Sequence, residues 1–350
     1  MKKLLVTGAA AVFGILLLKE SERVMDGVKS GLELCFGSVI PSLLVFMILA
    51  DFLAEADLSP ALFWPVRLVC RLFRVPDETA PVIAVSMAGG YPAGARMVGK
   101  LVQQGRMSAL TGEKLLCSCI CCSPSFLAGA VGAGLFGNVR FGLMLYGCQL
   151  AAMLVTGFLA GRRMPDGGRG EDFWQGDGDY VSCFVRSVAG AGRAVLSVCL
   201  FVMVFSAAQK LLYPLPGWEV MSGLLEVTVG CGSLAKTPFR QAVILSTVYT
   251  SLGGCCVWMQ LYCFLGESGV RMRKFLPWRL VHCLFSLLFT LLLLRHADIS
   301  AEVFSTFAKP LAENGSGSLT AALSLVMLCL MLPLTFPSVR KSCADERRVV

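Results

Sequence analysis

Charge is what this chain has least of. Asp, Glu, Lys and Arg make up 15% of its 350 residues, too few to clothe the surface of a soluble domain. Histidine is scarcer still: His282 and His296 are the two in the chain, and neither stands in a ligand-pair spacing, which argues against a zinc centre. There is no G-x-S-x-G, no Walker loop, no H-E-x-x-H and no pair of carboxylates inside an apolar run, so the usual hydrolase, nucleotide and intramembrane aspartyl-protease signatures are missing. A rhomboid-like enzyme would need a facing Ser and His, and His282 begins a span beside Arg279, a poor place for one. The sequence therefore reads as a non-enzyme without a cofactor. Any transport it performs runs on gradients, downhill flow or a partner's motor.

What is abundant is apolar. Hydrophobic residues are 56% of the chain and the mean hydropathy is +0.71, the composition of an integral membrane protein. The excess of basic residues, 31 against 23 acidic for a net +8, fits basic cytoplasmic flanks and calls for no nucleic acid. Sixteen cysteines fall mostly inside apolar segments, where thiols act as small hydrophobes. The densest group, "CSCICC" (117 to 122), is read as small-residue helix packing rather than as a metal cluster.

Uncharged runs occur at 4 to 18, 34 to 50, 115 to 139, 141 to 161, 194 to 208, 241 to 266, 280 to 294 and 319 to 339. Some are too short to cross about 30 Å alone and must borrow flanking residues or turn back. The run at 4 to 18 is read as an uncleaved, slightly short first span, because no small-residue cleavage site precedes "KESER". Lys2 and Lys3, the four positives of "RMRKFLPWR" (271 to 279) and the basic tail from Arg340 are placed inside, while the neutral sum of "KESERVMDGVKS" (19 to 30) suits the outside. Both termini are thus expected in the cytoplasm.

The glycine-rich, charged stretch "GRRMPDGGRGEDFWQGDGDY" (161 to 180) is a linker between membrane halves. The expected organisation is an all-α polytopic membrane protein of about 8–10 membrane segments in two pseudo-repeated halves, 1–160 and 182–335, with a cytoplasmic linker at 161–181 and a basic tail at 336–350. Each half runs through a lead-in and span, a broken segment rich in Gly, and a second segment interrupted by small residues. "AGGYPAG" (88 to 94) corresponds to "EVTVGCG" (226 to 232), and "CCSPS" (121 to 125) to "TSLGGCC" (250 to 256).

Such breaks free backbone groups that hydrocarbon cannot satisfy, so they survive where protein or a watery cavity covers them. Paired in two halves, they point to a transporter binding site. In "AGGYPAGARM" (88 to 97), Pro92 removes an amide and biases Tyr91 away from helix, while Gly89, Gly90 and Gly94 permit turns and close approach. The segment is expected to re-enter rather than cross. A helix beginning there aims N–H groups at the break, which suits a carboxylate or phosphate; Arg96 on its first turn either joins that site or snorkels to the interface. The following "RMVGKLVQQGRMSALTGEK" (96 to 114) is expected to be an amphipathic helix on the cytoplasmic surface. Glu226, amid residues uncharged from Val220 to Ala235, either is an expensive intramembrane acid that with Thr228 and Gly230 forms the second candidate site, or lies at the interface and reaches water. Ser123, Pro124 and Ser125, matched by Thr250, Ser251, Gly253 and Gly254, either bond a ligand or back-bond to their helices.

"SVIPSLLVFMILADFL" (38 to 53), "GGYPAGARMVGKLVQQGRMS", "EKLLCSCICCSPSFLAGAVGAGLFGN" (113 to 138) and "GLLEVTVG" (223 to 230), in this order, resemble the YlbJ-type sporulation integral membrane proteins, within the nucleoside-recognition or Gate-domain group. The resemblance implies a multi-pass protein of endospore formers that moves dipicolinic acid across the mother-cell-derived outer forespore membrane. It also implies that Gly90, Tyr91, Pro92, Gly94, Ala95 and Arg96 form one motif and Glu226, Thr228 and Gly230 the other. Relatives often carry Asn near the second break, where this chain has Cys121 and Cys122. The expected partners are a small anion, the bilayer, and a second copy or other sporulation membrane proteins. A non-transporting scaffold for spore assembly and a nucleoside-type transporter are the alternatives.

Overall fold

A computed structural model describes residues 18–56, 60–168, 178–213, 218–266 and 268–296, with a few isolated positions before them. The expected span at 4 to 18 lies mostly outside the described residues, and the run at 319 to 339 and the basic tail lie entirely outside them. Among the described residues there is no strand, and six helices are long and apolar enough to cross a membrane. An all-α polytopic membrane protein is what the composition demands, and it is what the chain forms.

The first crossing, α1 (Ser21–Glu55), includes the charged lead-in and is interrupted by π-helical turns at Cys35–Val39. It lies antiparallel on α7 (Tyr180–Leu212) because both carry small residues at the contact. A Cβ on Gly27 would stand 2.5 Å from Ala207 Cα, and one on Gly31 2.8 Å from Met203 Cα. At the other end of the pair Phe52 meets Phe184 edge to face. Such close backbone approach is the main attraction available between helices already bathed in lipid.

After the short α2 (Arg67–Phe73) comes α3 (Ala80–Gln103). It is two half-helices, because Gly90 at φ 77°, ψ −162° reverses the chain. That conformation is essentially restricted to glycine. A Cβ on Gly94 would meet Ser86 Cα at 3.2 Å, so the second half folds back along the first and the segment re-enters, as its glycines and Pro92 predict. The next crossing is α4 (Ala109–Cys119), an extended break over 120–123, and α5 over 124–135, which begins at Pro124–Phe126 and continues as π-helix through Leu127–Leu135. α6 (Val139–Arg163) returns.

The second half repeats this order. From the far end of α7 the chain enters as α8 (Trp218–Leu225), breaks at Glu226 and leaves as α9 (Val227–Ser233). A Cβ on Gly230 would stand 2.6 Å from Gly223 N, so this too is a tight hairpin. α10 (Phe239–Leu252) and α11 (Gly254–Leu265) cross with a break at Gly253 and Gly254, both at positive φ, and α12 (Phe275–His296) closes the bundle against α6. The described residues thus hold six crossings and two re-entrant hairpins. The α3 hairpin opens toward the end of the bundle that bears Glu55 and Arg186, and the α8–α9 hairpin toward the opposite end, where Gln209 Nε2 donates to Ser222 O at 2.9 Å. Two hairpins entering from opposite faces is the geometry of inverted-topology repeats.

One expectation is corrected here. Residues 96 to 114 are not one amphipathic surface helix: they form the inner leg of the α3 hairpin, a turn at Gly105, and the start of α4. The charges that suggested a polar face are bound inside the protein instead. Lys114, 1% exposed, donates to Arg74 O at 2.9 Å and to Asp166 Oδ1 at 2.7 Å. That contact docks the first residues of the linker on α4, helped by Thr111 Oγ1 donating to Gly168 O at 3.1 Å.

Candidate functional site

The four breaks converge. A Cβ on Gly90 would stand 2.8 Å from Ser123 N, and one on Gly254 3.2 Å from the carbonyl oxygens of Gly223 and Leu224. Tyr91 joins the two halves: its hydroxyl donates to Thr250 O and, at 3.1 Å, to Ser251 O. Backbone this irregular needs protein or a watery cavity to cover it, and beside three of the breaks a cavity of about 80 Å³ admits water-sized molecules.

The starts of half-helices wall that cavity. Gly89, Gly90, Tyr91 and Pro92 come from the turn of α3, Cys122 and Ser123 from the second break, and Glu226, Val227 and Thr228 from the third. Ser38 and Ser42 reach it from the π-helical interruption of α1, and Gln260 from α11. The π-turns give this stretch of α1 an irregular backbone where it faces the cavity, a common use of such turns at functional sites. The result is an apolar slot edged by hydroxyls, one amide and one carboxyl group. No Lys or Arg is among its lining residues.

Local caps place the polar groups. Ser123 has extended backbone and accepts from Phe126 N at 3.3 Å, ahead of Pro124 at the first helical position, the preferred order for a helix start. Glu226, 3% exposed, caps α9 in the same way and accepts from Val229 N at 2.7 Å. The isolated acid of the sequence is thus a helix cap whose carboxyl lies at a cavity wall. Its capping bond contributes roughly 1 kcal/mol.

Of the residues singled out from sequence, the structure brings Gly90, Tyr91, Pro92, Ser123, Glu226 and Thr228 to one cavity. Gly94 packs against Ser86 and Gly230 against Gly223, each permitting its hairpin to close. Ser125 is one hydroxyl removed, with its Oγ 3.1 Å from Ser123 Oγ. Arg96 lies elsewhere. Its guanidinium donates bidentately to Asp51, Nε to Oδ1 at 2.8 Å and Nη2 to Oδ2 at 2.7 Å, and Asp51 is fully buried. Lys100 stands 3.6 Å from Asp51 and 2.5 Å from Glu55, which also takes Arg186 Nε at 2.9 Å. A Cβ on Gly190 would collide with the Asp51 carboxylate, so glycine there makes room for the pair. This network ties the re-entrant hairpin to α1 and α7.

Sequence reasoning passed over a second polar cluster. Arg279, His282, Ser286 and Thr290 on α12 are all buried. Arg279 Nη1 donates to Ile120 O and Nη2 to Ser251 O at 2.8 Å, with His282 Nδ1 2.6 Å from Nη2. From α6, Gln149 Nε2 donates to Thr250 Oγ1 at 2.9 Å and Ser251 Oγ at 3.1 Å. The signal was there: the four α12 positions recur at intervals of three and four, one face of a helix, but Arg279 also ends a basic run that reads as a membrane flank.

Outside the spans, the Lys114 ammonium holds the Asp166 carboxyl below the ordinary carboxylate range, first through the hydrogen bond and then through its charge.

These features define a class: an all-α multi-pass membrane protein in which two re-entrant hairpins and two broken crossings meet at a cavity. The chain is similar to the Sporulation integral membrane protein YlbJ of Bacillus subtilis (strain 168), with 24% identity over an alignment covering 79% of each chain. The resemblance to YlbJ-type proteins therefore extends over most of the sequence. No family model and no solved structure matches the chain.

Proposed function

We propose that this chain is a sporulation membrane transporter, or channel component, for a small anionic solute, and that the solute is dipicolinic acid crossing the outer forespore membrane. The observation that carries the reading is the convergence of three helix breaks, with α11 beside them, on one cavity edged by Ser38, Ser42, Ser123, Thr228, Gln260 and the Glu226 carboxyl. Interrupted helices at matching places in two halves are how secondary transporters build a substrate site. Dipicolinate is a planar dianion at neutral pH. The hydroxyls are suited to its carboxylates and the Tyr91 ring to its aromatic face. The similarity to a protein named for sporulation supports the setting. The lining holds no Lys or Arg and one carboxyl group, Glu226, so a dianion is held there weakly and its passage is reversible.

The test is ligand-dependent thermal stabilisation of the purified protein. Dipicolinate raises the melting temperature and a neutral nucleoside does not, because a ligand that binds only the folded state stabilises it by mass action. Ser123→Ala and Thr228→Ala each weaken the effect by roughly fivefold in apparent affinity, the value of one hydrogen bond of about 1 kcal/mol. Stabilisation by nucleosides alone would transfer the reading to a nucleoside-type transporter; stabilisation by neither would leave a scaffold.

A further inference from the structure

Arg279 is the largest fully buried side chain among the described residues. Within the membrane an unpaired guanidinium is costly, yet no carboxylate pairs with it among the described ion pairs. What it has instead are carbonyls: Ile120 O, just past the last residue of α4, and Ser251 O, in the last turn of α10. These are the C-terminal ends of the two half-helices that begin the two broken crossings, one from each half of the chain. Each helix C-terminus carries roughly half a negative charge. Two of them together offset one guanidinium, and no acidic side chain is required.

The guanidinium also lies over the Tyr91 ring, 5.3 Å from its centroid. Tyr91 donates to the same Ser251 carbonyl that accepts from Arg279. A single side chain on α12 therefore touches the break of α4, the break of α10 and the aromatic wall of the cavity, without lining the cavity itself.

We propose that Arg279 is the positioning residue of the transport site: its fork fastens the two broken crossings to one another at their breaks, holds Tyr91 as the cavity wall, and neutralises the two negative helix ends behind it. A lysine cannot replace it, because a point charge on a flexible stem does not bridge two fixed carbonyls on different helices as a planar fork does. The transport part of this proposal rests on the anion-transport reading above; the fastening part does not.

The experiment separates the two. Hydrogen–deuterium exchange on the full chain in lipid nanodiscs is compared for native, Arg279→Lys and Arg279→Met protein, alongside dipicolinate uptake by vesicles. The expected result is faster exchange in both 117–123 and 249–255 in either variant, with the Asp51 end of the bundle unchanged. Uptake falls by roughly tenfold or more in Arg279→Met, where two negative helix ends are left uncompensated in a low dielectric, and less in Arg279→Lys. Native exchange at both segments in Arg279→Lys would overturn the fastening role even if Arg279→Met failed to fold. Loosened breaks with native uptake in a folded Arg279→Met would overturn its positioning role in transport. Absence of uptake by the native protein would count against the transport reading alone, since the exchange result stands independently.

Discussion

At the scale of single residues the protein manages charge in two ways. Asp51 and Arg96 form a buried pair under Gly190, where breaking the pair costs more than the pair itself contributes. Arg96→Ala is expected to destabilise by about 2–3 kcal/mol, below the ~3–5 kcal/mol of a fully buried pair because Lys100 remains near. Asp51→Asn combined with Arg96→Met should recover most of that loss. Denaturant unfolding in mild detergent checks both. Asp166 illustrates the solvated case. Its folded carboxyl titrates below the ordinary value, so its bond to Lys114 contributes at pH values above the ordinary carboxylate pKa and is lost as pH falls through the depressed one. Asp166→Asn should therefore speed amide exchange at 164–168 near pH 6 (above the usual carboxylate pKa), with the difference from native protein shrinking once pH falls below the ordinary carboxylate value and through the depressed one.

At the scale of elements the decisive feature is where helices stop. Gly90 combines φ 77° with a hypothetical Cβ 2.8 Å from Ser123 N. Gly90→Ala is expected to cost about 2–4 kcal/mol, adding backbone strain to the displacement of a neighbouring break. Gly147→Ala on α6, where nothing lies within 4 Å of the added atom, should be neutral within about 0.5 kcal/mol. Equal melting temperatures for the two variants would remove the account of the α3 turn. The sequence foretold these breaks well, because Gly and Pro act locally and leave a mark in the chain that needs no knowledge of partners. It foretold the fate of charges badly. Arg96 and Lys100 read as a cytoplasmic face because their acceptors, Asp51 and Glu55, are 45 positions away. Arg279 was hidden because backbone carbonyls of Ile120 and Ser251, which leave no trace in composition, take the place of an acid.

At the scale of the whole molecule, the two hairpins open to opposite faces, and this is the property from which alternating access would follow. Single cysteines introduced at Gly105 and Ala235 in a cysteine-free background should react with an impermeant maleimide from opposite sides of a sealed vesicle. Labelling of both from one side would contradict the arrangement. The order of elements in the halves was legible from their shared sequence of breaks, whereas the approach of the four breaks to one another depends on contacts such as Tyr91 with Thr250 that no local pattern encodes. The central claim is that this cavity passes a small dianion, and vesicle uptake tests it most directly. Proteoliposomes containing the native chain should accumulate labelled dipicolinate down its gradient, and Thr228→Ala together with Ser123→Ala should slow it by roughly tenfold or more, two lost hydrogen bonds. Uptake no faster than in protein-free vesicles, by protein shown to be folded, would contradict the account.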